Sequence, residues 1–165
     1  MKIAVEPELQ TLREAISTQA ATTVRPLANG VDRMQAFSWD LWMAVRNLGL
    51  TRLPFDEKYG GDGGTIRAYT VASMELAQHC AVAALYPGTS IQVAAALIEH
   101  GTTEHLRSVV PRLVAGEAIA AWAFTEPATG SDPARSAHGP FAMAMDGYSP
   151  EPSSSFRLPI RLSSP

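Results

Sequence analysis

The chain of 165 residues has little of several features that mark particular classes of protein. Its one cysteine, Cys80, excludes an internal disulfide and fits a reducing compartment. No run approaches the ~20 consecutive apolar residues that span a bilayer, and residues 1–7 lack the apolar segment of a secretory signal. The net charge of −3 favours neither nucleic acid nor an anionic membrane as a partner. We therefore expect a cytoplasmic protein.

The remaining composition is that of a globular domain. Hydrophobic residues make up 46% of the chain and charged residues 18%, as is typical of soluble proteins. At this length we expect one domain, or one domain and a tail, with enough buried surface to form a core. The apolar spacing predicts a mostly α fold, an up-and-down antiparallel bundle of about five helices followed by one strand.

Helix boundaries are marked along the first part of the chain. Apolar residues that recur every three or four positions predict a first helix over 7–23. A polar interlude is expected around 29–30. Ser38 is then suited to cap a second helix, and Gly49 is suited to end it.

A glycine-rich loop over 53–64 is expected to lead to a long third helix, which Thr65 can cap. Pro87 and Gly88 are expected to break that helix, since proline removes a backbone donor and clashes with the preceding turn. An alanine-rich helix then follows over about 89–100. These expectations place a run of antiparallel helices before the strand.

The helical region is expected to give way to one strand and a tail. Thr103 can cap a last short helix, in which Pro111 predicts a bend or a fresh first turn. Gly116 ends the helices, and 118–124 is expected to be the strand. From Ser149 onward the chain has four prolines and six serines and shows neither the helical nor the strand period. We expect this tail to be disordered.

The run 121–132, Ala-Trp-Ala-Phe-Thr-Glu-Pro-Ala-Thr-Gly-Ser-Asp, is the most informative feature of the chain. An apolar stretch breaks at Pro127 into a small, hydroxyl-rich turn. Such a segment can place backbone N–H groups and hydroxyls against a planar, phosphate-bearing cofactor, and Gly130 allows close approach because it has no Cβ. The run resembles the flavin-binding signature of acyl-CoA dehydrogenases, whose core is Thr-Glu-Pro-x-x-Gly-Ser-Asp.

Other stretches resemble the same family in the same order, namely the loop 59–63, the Glu-Leu-Ala of 75–77 and the approach to the strand over 101–120. The resemblance covers roughly residues 5–135. It implies a helical N-terminal domain over 1–117, the start of an incomplete β-domain over 118–148, and a disordered tail over 149–165 that does not follow the family. Family members are considerably longer, so we expect a truncated or frame-shifted product.

The resemblance also implies a function. Family members use FAD to remove hydrogens from the α and β carbons of an acyl-CoA thioester in fatty acid metabolism. By resemblance, Trp122, Phe124, Thr125, Gly130 and Ser131 bind the cofactor, and Ser131 also approaches the acyl-CoA substrate. The catalytic glutamate of the family comes from its C-terminal helical bundle. We therefore assign no catalytic residue here and expect this chain to be inactive alone.

Several alternatives stay open. An acyl-CoA oxidase or flavin monooxygenase of the same superfamily differs in oxygen access, and the other class is a non-enzymatic helical remnant or interaction module without flavin. A homo-oligomer is compatible with either. The glycine-rich loop lacks the Gly-Lys-Ser/Thr ending of a phosphate loop, and Glu75 is expected on a solvated helix face. His79, His100, His105 and His138 lack the spacing of metal ligands.

Overall fold

The computed structural model describes residues 7–34, 36–122, 142–147 and 156–161. Within these residues the fold is mostly helical, as predicted, with six α-helices followed by three strands. A 3-10 helix, Glu57–Tyr59, lies between α3 and α4, and a π-helical turn, His105–Val109, precedes α6. The elements are α1 (Pro7–Thr23), α2 (Arg25–Met34), α3 (Trp39–Asn47), α4 (Ile66–Ala77), α5 (Ala81–His100), α6 (Val110–Val114), β1 (Ala118–Trp122), β2 (Ala142–Gly147) and β3 (Phe156–Arg161).

The chain forms two compact units, Met1–Gly88 and Thr89–Pro165, with the boundary inside α5. The first unit has a core built from α1 to α4, the loop after α3 and the start of α5. The buried apolar side chains of this core are Ile16, Ala20, Val24, Val31, Leu41, Val45, Leu50, Ala72, Leu76, Cys80 and Ala83. In the second unit α5, α6 and β1 contribute buried residues, among them Val93, Leu97, Val110, Leu113 and Ala120.

The predicted helix starts and stops are largely confirmed. α1 has the predicted bounds. The Ser38 hydroxyl accepts a hydrogen bond from the Leu41 N–H at 3.2 Å, and the Thr65 hydroxyl accepts one from Ala68 N–H at 3.2 Å. Each bond satisfies a donor that the first helical turn leaves unpaired. Gly49, at φ 79°, follows α3 in the left-handed conformation that favours glycine.

The predicted polar interlude around 29–30 is wrong, because α2 runs through it from Arg25 to Met34. Leu27 and Ala28 pack against the core, and Val31 is buried. Asn29 and Gly30 are exposed on the other side of the helix. Burial of one apolar stripe therefore outweighs the weak helix propensity of two residues.

The predicted break at Pro87 and Gly88 is also wrong, since both residues lie inside α5. The third predicted helix ends earlier, at Ala77. There the N–H groups of Gln78 and His79 bond the carbonyls three residues before them, at 3.1 and 3.0 Å. This tight turn closes α4 without a glycine or proline.

The cap of the short helical segment before β1 is Thr102 rather than the predicted Thr103, which is the first helical residue. The Thr102 hydroxyl accepts from His105 N–H at 3.3 Å, and Thr102 N–H donates to His105 Nδ1 at 3.2 Å. The two bonds form a reciprocal cap like the Ser/Thr–Glu capping box, with an imidazole nitrogen as the second acceptor. Pro111, where a bend or a fresh first turn is predicted, lies in the first turn of α6, directly after the π-helical turn.

α5 is long and apolar enough to cross a bilayer by length and composition alone, with a mean hydropathy of 1.5. The prediction that no run approaches the length of a bilayer-spanning segment did not anticipate this helix. A helix buried in a globular protein passes the same test, and Val93, Ala94 and Leu97 of α5 are buried. The criterion therefore adds little to the case for a membrane partner.

The three strands form one antiparallel sheet in the order β1-β2-β3. Ala118 pairs with Gly147 and Trp122 with Met143, and β2 pairs in turn with β3. β2 and β3 go beyond the one strand expected, and β3 lies within the predicted tail. Residues 156–161 alternate apolar residues with arginine or proline, a period of two that the surrounding serines and prolines obscure. The rest of the predicted tail lies outside the described residues.

Candidate functional site

The strand that leads to the predicted site, β1, begins directly after the turn that ends α6. Gly116 has φ 66°, and its N–H donates to the Leu113 carbonyl at 3.0 Å. Glu117 N–H donates to the Arg112 carbonyl at 2.8 Å. This pair of bonds is a Schellman ending, which needs a left-handed residue and so favours glycine. It fixes the direction in which β1 leaves the helix.

β1 is held to α5 by two polar contacts of different kinds. The Ser90 hydroxyl, in a residue that is 1% exposed, accepts from the Ala120 backbone N–H at 3.1 Å. The Trp122 indole N–H donates to the Gln92 side-chain oxygen at 3.1 Å. Both contacts lie within the second unit. They set the position of the strand and the orientation of its last described side chain.

The predicted cofactor residues fall mostly beyond this strand. Trp122 is half-buried and ends β1. Phe124, Thr125, Gly130 and Ser131 lie outside the described residues. The structure therefore describes the strand that leads into the Thr-Glu-Pro run, together with the first of the five predicted residues.

The backbone amides of the glycine-rich loop already donate hydrogen bonds within the chain. The amide groups of residues 60–63 each donate to a carbonyl within residues 52–57, at N···O distances of 2.8 to 3.1 Å. A phosphate-binding loop needs such amide groups directed at the ligand. The hydrogen bonding therefore supports the interpretation of this segment as a connecting loop.

Glu75 does not lie on a solvated face, and that expectation is wrong. It is 7% exposed, and its Oε2 accepts from Arg13 Nε at 2.8 Å and from the Gln78 side-chain nitrogen at 3.2 Å. The hydrogen bond from Arg13 lowers the pKa of Glu75, while burial acts in the opposite direction. The sequence signal that was missed is an arginine in α1 that neutralises this carboxylate across the helix pair. This arrangement joins α1 to α4 and holds Glu75 as a structural carboxylate.

A groove of about 410 Å³ opens in the first unit. None of the predicted cofactor residues lines it. Its walls mix amide, hydroxyl, carboxylate and aliphatic groups from α1, α2, α3 and the residue that follows α3. The lining residues are Gln19, Thr23, Leu27, Asp40, Met43, Ala44, Asn47 and Leu48. This groove is therefore lined by residues other than those of the predicted cofactor segment.

The described residues thus form a mostly helical domain followed by a strand, and the predicted site starts at the last residue of that strand and continues beyond it in the sequence. Residues 6–117 match the family model for the N-terminal domain of acyl-CoA dehydrogenases. The chain therefore belongs to the acyl-CoA dehydrogenase family.

Individual relatives agree with this assignment. The short-chain-specific acyl-CoA dehydrogenase of Clostridium acetobutylicum is 31% identical over 126 residues, which are 76% of this chain and 33% of that protein. Butyryl-CoA dehydrogenase from Megasphaera elsdenii has a similar fold, with a TM-score of 0.69 and 24% identity over 89% of this chain and 41% of its own. Glutaryl-CoA dehydrogenase from Mycobacterium smegmatis, solved in complex with FADH2, has a TM-score of 0.70 and 22% identity over 87% of this chain and 38% of its own. The chain spans about a third of the length of the curated relative.

Proposed function

We propose that this chain carries part of the flavin site of an acyl-CoA dehydrogenase, with FAD as the cofactor and an acyl-CoA thioester as the substrate. Family membership supports the reaction class, which is oxidation of a CH–CH bond. The complete Thr-Glu-Pro-x-x-Gly-Ser-Asp core over 125–132 is the observation that carries the proposal. The glutaryl-CoA dehydrogenase with a similar fold was solved with FADH2.

The described residues are compatible with a flavin at the end of β1. Trp122 is half-buried, and its indole N–H is held by Gln92, so its ring can lie along a planar ring system. By the family resemblance, the Thr125 hydroxyl bonds the flavin ring, Gly130 leaves space for it, and Ser131 approaches the diphosphate and the substrate. Bound FAD supplies the redox chemistry, and the protein supplies orientation and hydrogen bonds.

Proton abstraction needs a base that we do not assign within these residues. In the family the base is a glutamate of the C-terminal bundle. Glu75, the buried carboxylate described above, is already bonded to Arg13 and Gln78. We therefore expect these 165 residues, tested by themselves, to bind flavin without dehydrogenating an acyl-CoA.

The test is an equilibrium titration of the purified chain with FAD, followed by flavin absorbance and fluorescence. The expected result is saturable binding that the Thr125→Val variant weakens. Thr70→Val is the matched control, because the Thr70 hydroxyl bonds only the Ile66 carbonyl of its own helix among the contacts described. Absence of flavin binding by the unaltered chain contradicts the proposal.

A second candidate, an interaction module without flavin, is favoured by one observation. Phe37 is 43% exposed and Trp39 is 39% exposed, and their ring centroids are 4.8 Å apart. The Phe37 ring also stacks on the Tyr86 ring, with 4.6 Å between the centroids. Leu85 beside Tyr86 in sequence is 75% exposed. Exposed apolar groups of this size favour association.

Sedimentation velocity over a range of concentrations tests this second candidate with a second copy of the chain as the partner. A dimer that Phe37→Gln weakens, and that the control Ile66→Gln on α4 leaves intact, supports it. A monomer at every concentration contradicts it.

A further inference from the structure

Two polar side chains of α5 form hydrogen bonds with β1. These bonds belong neither to the backbone ladder of the sheet nor to the backbone hydrogen bonds of the helix. Ser90 and Gln92 are two residues apart on the helix, and their partners Ala120 and Trp122 are two residues apart on the strand. The first contact involves a backbone N–H and the second a side-chain N–H. Together they restrain both the strand and the ring at its end.

The Ser90 contact restrains the strand along its length. Ser90 is 1% exposed and Ala120 is 3% exposed, so water does not compete for this bond. A buried N–H without an acceptor is costly. A shift of β1 against α5 would leave the Ala120 N–H buried without an acceptor. The Ser90 hydroxyl therefore favours one position of the strand.

The Gln92 contact restrains the aromatic ring. Gln92 is exposed, and its oxygen accepts from the Trp122 indole at 3.1 Å. Because this bond is open to water, it contributes little to the stability of the fold. Its main effect is to limit the rotamers that the Trp122 side chain adopts before any ligand binds.

We propose that Ser90 and Gln92 are positioning residues for the flavin segment, and this inference rests on the function proposed above. Ser90 fixes where β1 lies against α5, and Gln92 fixes the orientation of Trp122 at the entrance to the Thr-Glu-Pro run. Ordering these groups in advance removes part of the entropic cost of binding FAD. Neither residue contacts the cofactor in this account.

FAD titrations of Gln92 variants test the inference. Gln92→Leu removes the acceptor, and we expect the Kd for FAD to rise about two- to threefold, the effect of losing one hydrogen bond at the weak end of the usual range. Gln92→Glu keeps an acceptor at the same place and is expected to retain the Kd. Gln10→Leu is the control, since Gln10 is a half-buried glutamine whose exposed hydrogen bond goes to Glu14 of its own helix, α1. The melting temperatures of all three variants should equal that of the unaltered chain.

A second measurement does not depend on flavin. The indole N–H resonance of Trp122, assigned by its loss in Trp122→Phe, is expected to exchange slowly with solvent in the unaltered chain and faster in Gln92→Leu. Ser90→Ala, compared with Ser108→Ala, is expected to speed exchange of the Ala120 amide.

The outcomes separate the two proposals. Lack of FAD binding by the unaltered chain, with the predicted indole exchange, contradicts the proposed function and leaves the positioning contacts supported. FAD binding that is equal in the unaltered chain and in Gln92→Leu overturns the inference while the proposed function stands. Equal indole exchange in the two proteins also overturns it.

Discussion

Arg13 Nε lies 2.8 Å from Glu75 Oε2 and so joins two helices across 62 residues of sequence. The carboxylate is nearly buried, whereas 41% of the arginine side chain is exposed. The pair therefore has one end in the interior and one in solvent. The guanidinium keeps the Glu75 carboxylate charged in a place where an unpaired charge is costly.

This pair predicts a pH dependence of stability. The Arg13 hydrogen bond lowers the pKa of Glu75 in the folded chain below its ordinary 4.5. The stabilisation is complete above that value and is lost as the pH falls through the lowered pKa, because protonation then removes the charge that Arg13 pairs. Urea unfolding midpoints of the unaltered chain and of Glu75→Gln, measured from about pH 6 to about pH 3, check it. The difference between the two should shrink in acid, and a constant difference would contradict the assignment.

Replacing the arginine tests the same contact from its other end. Arg13→Met keeps the aliphatic stem but leaves the carboxylate without its cation, and we expect a loss of about 1 to 2 kcal/mol in the free energy of unfolding near neutral pH. Lys58→Met is the control, because Lys58 contacts Asp56 and the Tyr59 ring only at the surface, where such contacts are weak, and it should show a clearly smaller change. Equal losses in the free energy of unfolding for the two substitutions would mean that Arg13 does not stabilise the buried Glu75 carboxylate.

Gly30→Ala tests the course of α2. Gly30 is exposed, and a Cβ built on it meets no atom within 4 Å. In a helix interior alanine is more stable than glycine by about 0.5 to 1 kcal/mol, so we expect a rise of this size in the free energy of unfolding. An unchanged or lowered value would indicate that residues 29–30 form the polar interlude that the sequence suggests.

Gly61→Ala is expected to have the opposite sign. A Cβ on Gly61 would collide with the carbonyl group of Phe55, which is also part of the hydrogen-bonded loop. The clash forces the loop to move, and we expect a loss of about 1 to 3 kcal/mol, typical of overpacking. Gly30→Ala serves as the matched control in the same thermal and urea unfolding series. A neutral result at Gly61 would show that the loop adapts.

Local signals in the sequence predict much of the fold. The N-caps at Ser38 and Thr65 and the stop at Gly49 are confirmed because each depends on bonds within a few residues. The errors at 29–30 and at Pro87 arise from tertiary packing, which keeps α2 and α5 helical despite weak local propensity.

In the candidate site, too, the sequence reveals local features but not the contacts between distant residues. The Thr-Glu-Pro run is visible in sequence because a motif is a local pattern. The partners of Glu75 and Ala120 are not, because Arg13 and Ser90 lie 62 and 30 residues away from them. A serine or a glutamate in an otherwise apolar helix indicates a buried polar group that needs a partner, but it does not identify that partner.

Hydrogen exchange with and without FAD tests the central claim most directly. If the flavin lies along the segment that follows β1, saturating FAD should slow amide exchange chiefly within residues 118–132. The glycine-rich loop over 60–63 should be unchanged, since its amides already bond carbonyls of the chain. Protection that falls on that loop, or flavin binding without protection of 118–132, would contradict the account.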